Sequence, residues 1–181
     1  DRLQRADRAF ALAYEMGSPL LLARLGGVPP ESDADRRAAF EAAARELARR
    51  ADHQGVRLAM ETGPDPGSSV AAFLEQIASP GLAASVDPAS WLSQAIDPVA
   101  GTRELGSWIA HAYATDASSR PHALSVPNPR GWAYPPGALD WEEYLGALEE
   151  VNYRGALTIW PDPSGDVSSQ VQAILQRLAR F

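Results

Sequence analysis

The 181-residue chain has no cysteine and no lysine, and all sixteen of its basic residues are arginine. Without cysteine there are no disulfides and no thiolate metal site, so the compartment is left open and cytoplasm is the default expectation. Histidine is scarce, at three residues. No apolar run approaches the ~20 residues of a membrane span, and no signal peptide is visible. Net positive charge is lacking too. The formal charge is −7, and the arginines are scattered along helical stretches, as at Arg36, Arg37, Arg45, Arg49 and Arg50. Phosphate backbones are bound by clustered Lys and Arg, so neither nucleic acid nor membrane is an expected partner. What remains is an ordinary globular composition, 45% hydrophobic and 22% charged, whose length suits one domain over residues 1–181. The chain opens at Asp1, without methionine and inside a helical pattern, which points to a longer polypeptide.

Against that background one form repeats. Val56-Arg-Leu-Ala-Met-Glu61 is a short apolar run that ends on a carboxylate and breaks at Gly63. Leu82-Ala-Ala-Ser-Val-Asp87 repeats it, and residues 107–115 carry His111 and Tyr113 before Asp116. A further version, Ala156-Leu-Thr-Ile-Trp160, ends on an indole. Pro19-Leu-Leu-Leu-Ala23 is an earlier apolar run, followed by Arg24. Buried strands that each deliver a polar residue at the C-terminal end are how a parallel α/β sheet builds a site.

Helical patterns separate these runs. Residues 2–16 place Leu3, Ala6, Phe10, Ala13 and Tyr14 at helical spacing. Asp33 or Asp35 caps a helix to about Asp52, with Ala38, Phe40, Ala43, Leu47 and Ala51 inward. Ser68 or Ser69 caps another, carrying Val70, Phe73, Leu74 and Ile77. Two short helical stretches start at Pro88 and Pro98. Asp140-Trp-Glu-Glu143 is a capping-box pattern, and Asp166 opens a terminal amphipathic helix. Residues 117–138, with five prolines, read as a long functional or disordered loop holding His122, Arg130, Trp132 and Tyr134. Strands alternating with helices mean a parallel sheet. Five strands fit either an open sheet or part of a (β/α)8 barrel, and the pattern alone does not choose.

Met60-Glu61-Thr62-Gly63, Val86-Asp87-Pro88-Ala89, His111-Ala-Tyr-Ala-Thr-Asp116 and Leu139-Asp140-Trp141, leading to Asn152-Tyr153-Arg-Gly155-Ala-Leu-Thr-Ile159, fall in one order at one spacing. That series resembles the xylose isomerase-like TIM barrels, which include sugar isomerases and epimerases and enzymes of the endonuclease IV type. The resemblance covers nearly the whole chain. It implies an α/β fold, a parallel (β/α) barrel of the TIM type, with this chain supplying about the last five βα units. A full barrel needs ~250 residues, so three units would be absent or supplied by a complementing chain, and homo-oligomers are a further expectation. The endonuclease type is disfavoured, because it needs a His-rich multi-metal site.

The resemblance also implies one divalent metal (Mn, Mg or Zn) at the strand ends, held by Glu, Asp, His and Glu. Glu61 and Asp87 match the first two as metal and catalytic residues. The family's His falls on Tyr113 and its last Glu on Trp160, so two of the four ligand positions have changed. Arg24 stands where the family often has a His, and with His111, Tyr113, Trp160 and Asp116 it is expected to contact substrate. The functional expectation is an isomerase or epimerase acting by proton transfer on a small polyhydroxy carbonyl compound, with a depleted metal site. The alternative is a metal-free degenerate barrel that binds a small molecule or a partner protein. The bland readings are a carboxylate paired with arginine at Glu61 or Asp87, a satisfied core histidine at His111, and aromatic filling at Tyr113 and Trp160.

Overall fold

The computed structural model describes residues 2–116, 139–161 and 165–180. The elements run α1 (Arg2–Glu15), β1 (Leu20–Ala23), α2 (Ala34–His53), β2 (Arg57–Glu61), α3 (Gly67–Ile77), β3 (Leu82–Val86), α4 (Pro88–Ser93), α5 (Pro98–Leu105), β4 (Ile109–Ala114), α6 (Trp141–Glu150), β5 (Leu157–Ile159) and α7 (Val167–Leu178). Among the described residues the five strands form one parallel sheet in the order β1-β2-β3-β4-β5. A doubly wound sheet reverses its strand order at a switch point. Here each strand pairs with the next in sequence, and right-handed crossovers then place the helices on one side. The open-sheet option falls away, and the chain is a curled half barrel of α/β type. None of its described helices is long and apolar enough to cross a membrane.

Alternation along each strand separates two faces. Leu21 and Ala23, Leu58 and Met60, Leu82, Ala84 and Val86, Ala112 and Ala114, and Leu157 and Ile159 pack into one core with the helices. Phe10 of α1, Phe73 and Leu74 of α3, Leu105 of α5 and Tyr144 of α6 are the large side chains that meet them. The intervening residues, from Arg24 through Glu61, Ser85, Asp87, His111 and Tyr113 to Thr158 and Trp160, therefore point to the face without helices. Every C-terminal strand end carries its polar residue on that face.

The caps are mostly those the sequence predicts. Asp33 accepts from the Arg36 N–H, Asp140 from Glu143, and Asp166 from Ser168 and Ser169. One is different. The third helix starts at Gly67 behind Pro66, without a side-chain cap, and the Ser68 N–H is bonded instead by the Glu104 carboxylate from α5. Residues 106–108 form a 3-10 turn, so β4 is shorter than the predicted 107–115. Of the inward set expected for α2, Phe40, Leu47 and Ala51 pack on the core with Ala44 and Ala48, whereas Ala38 and Ala43 are exposed. An alanine-rich helix has little side-chain volume with which to declare its inner face. Residues 117–138, with His122, Arg130, Trp132 and Tyr134, lie outside the described residues.

At the α3–α5 crossing, Gly67 meets the backbone of Gly101, and Gly101 in turn lies under the Trp91 ring. A Cβ at residue 67 would overlap the Gly101 carbonyl. Gly67→Ala is expected to cost about 1–3 kcal/mol, the usual toll of overpacking. It should lower the urea midpoint at unchanged slope. An unchanged midpoint would mean that the two helices do not cross so closely.

Candidate functional site

The site begins with the residue that follows β1. Arg24 reaches across the strand ends and donates from Nε to Glu61 Oε2 at 2.6 Å. Register explains the meeting: Ala23 pairs with Met60, so Arg24 and Glu61 follow side by side. The other Glu61 oxygen, Oε1, accepts from the Tyr113 hydroxyl at 3.3 Å. The Glu61 side chain is 14% exposed and that of Arg24 51% exposed, so this ion pair sits at the mouth of the face. The hydrogen bond to Glu61, and then the charges of Glu61, Asp87 and Tyr113, raise the Arg24 guanidinium above its ordinary value, against the opposing effect of burial.

Asp87 is more buried, 1% exposed, and accepts from the Thr115 hydroxyl at 2.8 Å. It occupies the N-cap position of α4 but makes no side-chain cap bond there. Beside it, His111 bridges three strands. Its Nδ1 is 2.8 Å from Ser85 Oγ on β3, and its Nε2 is 2.8 Å from Thr158 Oγ1 on β5. Hydroxyls donate or accept as required, so a neutral imidazole is satisfied at both nitrogens. Burial lowers the His111 pKa below its ordinary value, with the Glu61 charge opposing.

The aromatic pair completes the face. The Tyr113 ring stands edge-on to His111 at 4.6 Å and to Trp160 at 6.4 Å. Tyr144, fully buried in α6, donates to the Tyr113 carbonyl at 3.0 Å and so anchors this strand from the helix side. Trp160 is 52% exposed. Asp116 is buried and accepts from the Leu139 N–H at 3.2 Å.

Thus Arg24, Glu61, Tyr113, His111 and Trp160 form one contiguous group, with the buried Asp87 on the same face, whereas Asp116 bonds the Leu139 backbone. Sequence reasoning missed Ser85, Thr115 and Thr158. Their signal was parity: each stands an even number of residues from Asp87, Tyr113 or Trp160 on its own strand. A divalent metal fits this group poorly. Hard cations require several oxygen or imidazole donors in a set geometry. Here both Glu61 oxygens are engaged, Tyr113 spends its hydroxyl on one of them, and the Trp160 indole has no lone pair to give. Among the described residues no cluster of three or more His, Asp or Glu could hold a metal ion.

A profile of the xylose isomerase-like TIM barrel family matches residues 1–179. A solved xylose isomerase domain protein from Planctomyces limnophilus superposes with a TM-score of 0.81 at 24% identity, over 98% of this chain and 63% of that one. D-allulose 3-epimerase from Methylomonas sp. gives 0.68 at 19% identity, over 92% of this chain and 59% of that one. D-psicose 3-epimerase with D-tagatose from Clostridium cellulolyticum H10 gives 0.71 at 16% identity, over 96% and 68%. At such identities the likeness establishes the fold, and the chain spans under two thirds of the first two. A search of curated proteins gave no match. The chain belongs to the xylose isomerase-like TIM barrel family.

Two outcomes follow from the geometry. In the unfolded chain His111 titrates near 6.5, and in the fold its pKa is lower. Between those values the unfolded state binds more protons, so stability rises with pH. The stability contributed by neutral His111 is complete above about pH 6.5 and is lost as pH falls towards the folded value. Imidazole NMR should show a midpoint below 6.5 that moves up on unfolding; a midpoint above 6.5 would contradict the burial. Arg24→Met should cost less than about 1 kcal/mol, because a half-exposed ion pair is screened by water. A cost several times larger in urea titrations would make the pair an anchor of the fold.

Proposed function

We propose that this member of the xylose isomerase-like TIM barrels binds a small polyhydroxy carbonyl compound, a sugar or sugar phosphate, at the strand-end face and exchanges a proton with it through Glu61. The observation that carries this reading is the Glu61 carboxylate itself. It ends a buried strand on the helix-free face, reachable by solvent, with its orientation set by Arg24 and Tyr113. Structural relatives named as sugar 3-epimerases support the substrate class.

Removal of a proton from carbon next to a carbonyl leaves its electron pair on the carbonyl oxygen, as an enediolate. That step needs a base at the carbon and positive charge or hydrogen-bond donors at the oxygen. Glu61 is the base, Arg24 carries the charge, and the half-exposed Trp160 is an indole on which a sugar can stack. Asp87 contributes its charge and its hold on Thr115.

A second reading is binding without turnover. It is favoured by the engagement of both Glu61 oxygens, which leaves the carboxylate less ready to take a proton. Proton exchange separates the two. In D2O with D-allulose or D-fructose, loss of the proton next to the carbonyl is expected by NMR, and Glu61→Gln should slow it at least about 100-fold, the lower range for general acid–base catalysis. Saturation transfer from the protein to a sugar without exchange would select the binding reading. Absence of both signals across a panel of ketoses and their phosphates would sink both. Trp160→Ala should weaken sugar binding about tenfold while leaving the fold intact, since an aromatic platform contributes on the order of 1 kcal/mol; unaltered affinity would remove Trp160 from the site.

A further inference from the structure

We propose that the Arg24 guanidinium is the resident cation of this site and excludes a divalent metal from it. The place of the ligand rests on the reading of Glu61 above, but the identity of the cation does not.

Three observations support it. First, Arg24 delivers a permanent positive charge to the Glu61 carboxylate at the mouth of the face, at hydrogen-bonding distance from Oε2. Arginine does not lose its proton in proteins, so this charge is not released at any working pH. Secondly, Asp87, the other carboxylate, also acts on Arg24. One guanidinium thus meets the field of two carboxylates on this face. Like charges repel, and a second cation would have to displace Arg24 from Oε2, and Tyr113 from Oε1, to take both oxygens of Glu61.

Thirdly, the side chains around the pair are already committed to one another. Tyr113 donates to Glu61, Thr115 to Asp87, and both nitrogens of His111 lie against hydroxyls. A coordination shell would have to break several of these bonds together.

The exchange of cation changes what the site recognises. A metal chelates two neighbouring oxygens of a hydroxy-carbonyl unit at once. A guanidinium donates directional N–H bonds in its own plane, so it favours a carbonyl, carboxylate or enediolate oxygen lying in that plane. Ligand binding should then be indifferent to chelators.

The test uses Mn²⁺ alone, followed by electron paramagnetic resonance and titration calorimetry on the purified full chain. The native protein is expected to show no saturable site up to about 1 mM, the weak end of protein cation sites. Two variants supply the missing donors: Tyr113→His with Trp160→Glu, and the same pair with Arg24→Ala added. The triple variant should bind Mn²⁺ at least about tenfold more tightly than the double variant, because only there is the Arg24 charge gone and Glu61 Oε2 released to a metal. Stoichiometric micromolar binding by the native protein would overturn the proposal. So would equal affinity in the two variants, since Arg24 would then exclude nothing. Absence of binding in both, with circular dichroism confirming that each is folded, would overturn it as well, because the positions around Glu61 would then be no cation site for Arg24 to fill. None of these readouts involves a sugar, so they stand or fall separately from the ligand reading.

Discussion

A parallel strand with helices on one side must alternate, and everything at this site depends on that constraint. Leu58 and Met60, or Leu82, Ala84 and Val86, are committed to the helix-side core. The residues between them have no choice but to face the other way. Because apolar burial is non-directional and its gain grows with area, the core residues set the rotation of each strand. Glu61, Asp87, Tyr113 and Trp160 are then aimed by neighbours they do not touch. A polar residue displaced by one position along any strand would be driven under a helix, where an unpaired carboxylate is costly.

The second constraint is the stagger of adjacent strands. Glu61 stands opposite Ser85, Ser85 opposite His111, and Tyr113 opposite Thr158. Asp87 is therefore two residues beyond the level of Glu61, and the two carboxylates share a face without sharing a layer. That offset carries Asp87 towards the C-terminal end of the sheet, where Thr115 bonds it and it is nonetheless buried. It also lets Tyr113, from the fourth strand, reach the carboxylate of the second. The shift between Ala84 and Ser85, where β3 changes register against β4, contributes to this staircase.

What this chain shares with the sugar epimerases it resembles is the frame. A fold shared at 16–24% identity places strand ends in space; it does not say what they carry. Here a guanidinium, a phenol and an indole stand around one accessible carboxylate. Such a set favours directional hydrogen bonding and stacking over chelation, and it ties the position of Glu61 to two other side chains.

From its sequence alone this protein determined its elements, their order and the residues at the strand ends. Apolar runs ending on Glu61 and Asp87 marked two of those ends, and the helix caps at Asp33, Asp140 and Asp166 were local signals written within three residues. Local signals fail where the partner is distant. The bond from Glu104 that replaces a serine cap on the third helix crosses 36 residues, and Arg24 finds Glu61 across 37. His111 is a satisfied histidine only because Ser85 and Thr158, on two other strands, close on its ring. Periodicity tells which face a side chain takes, since that follows from the geometry of one strand. Only the tertiary structure decides which side chains meet on that face, because that depends on the register between strands, a property that no single segment carries.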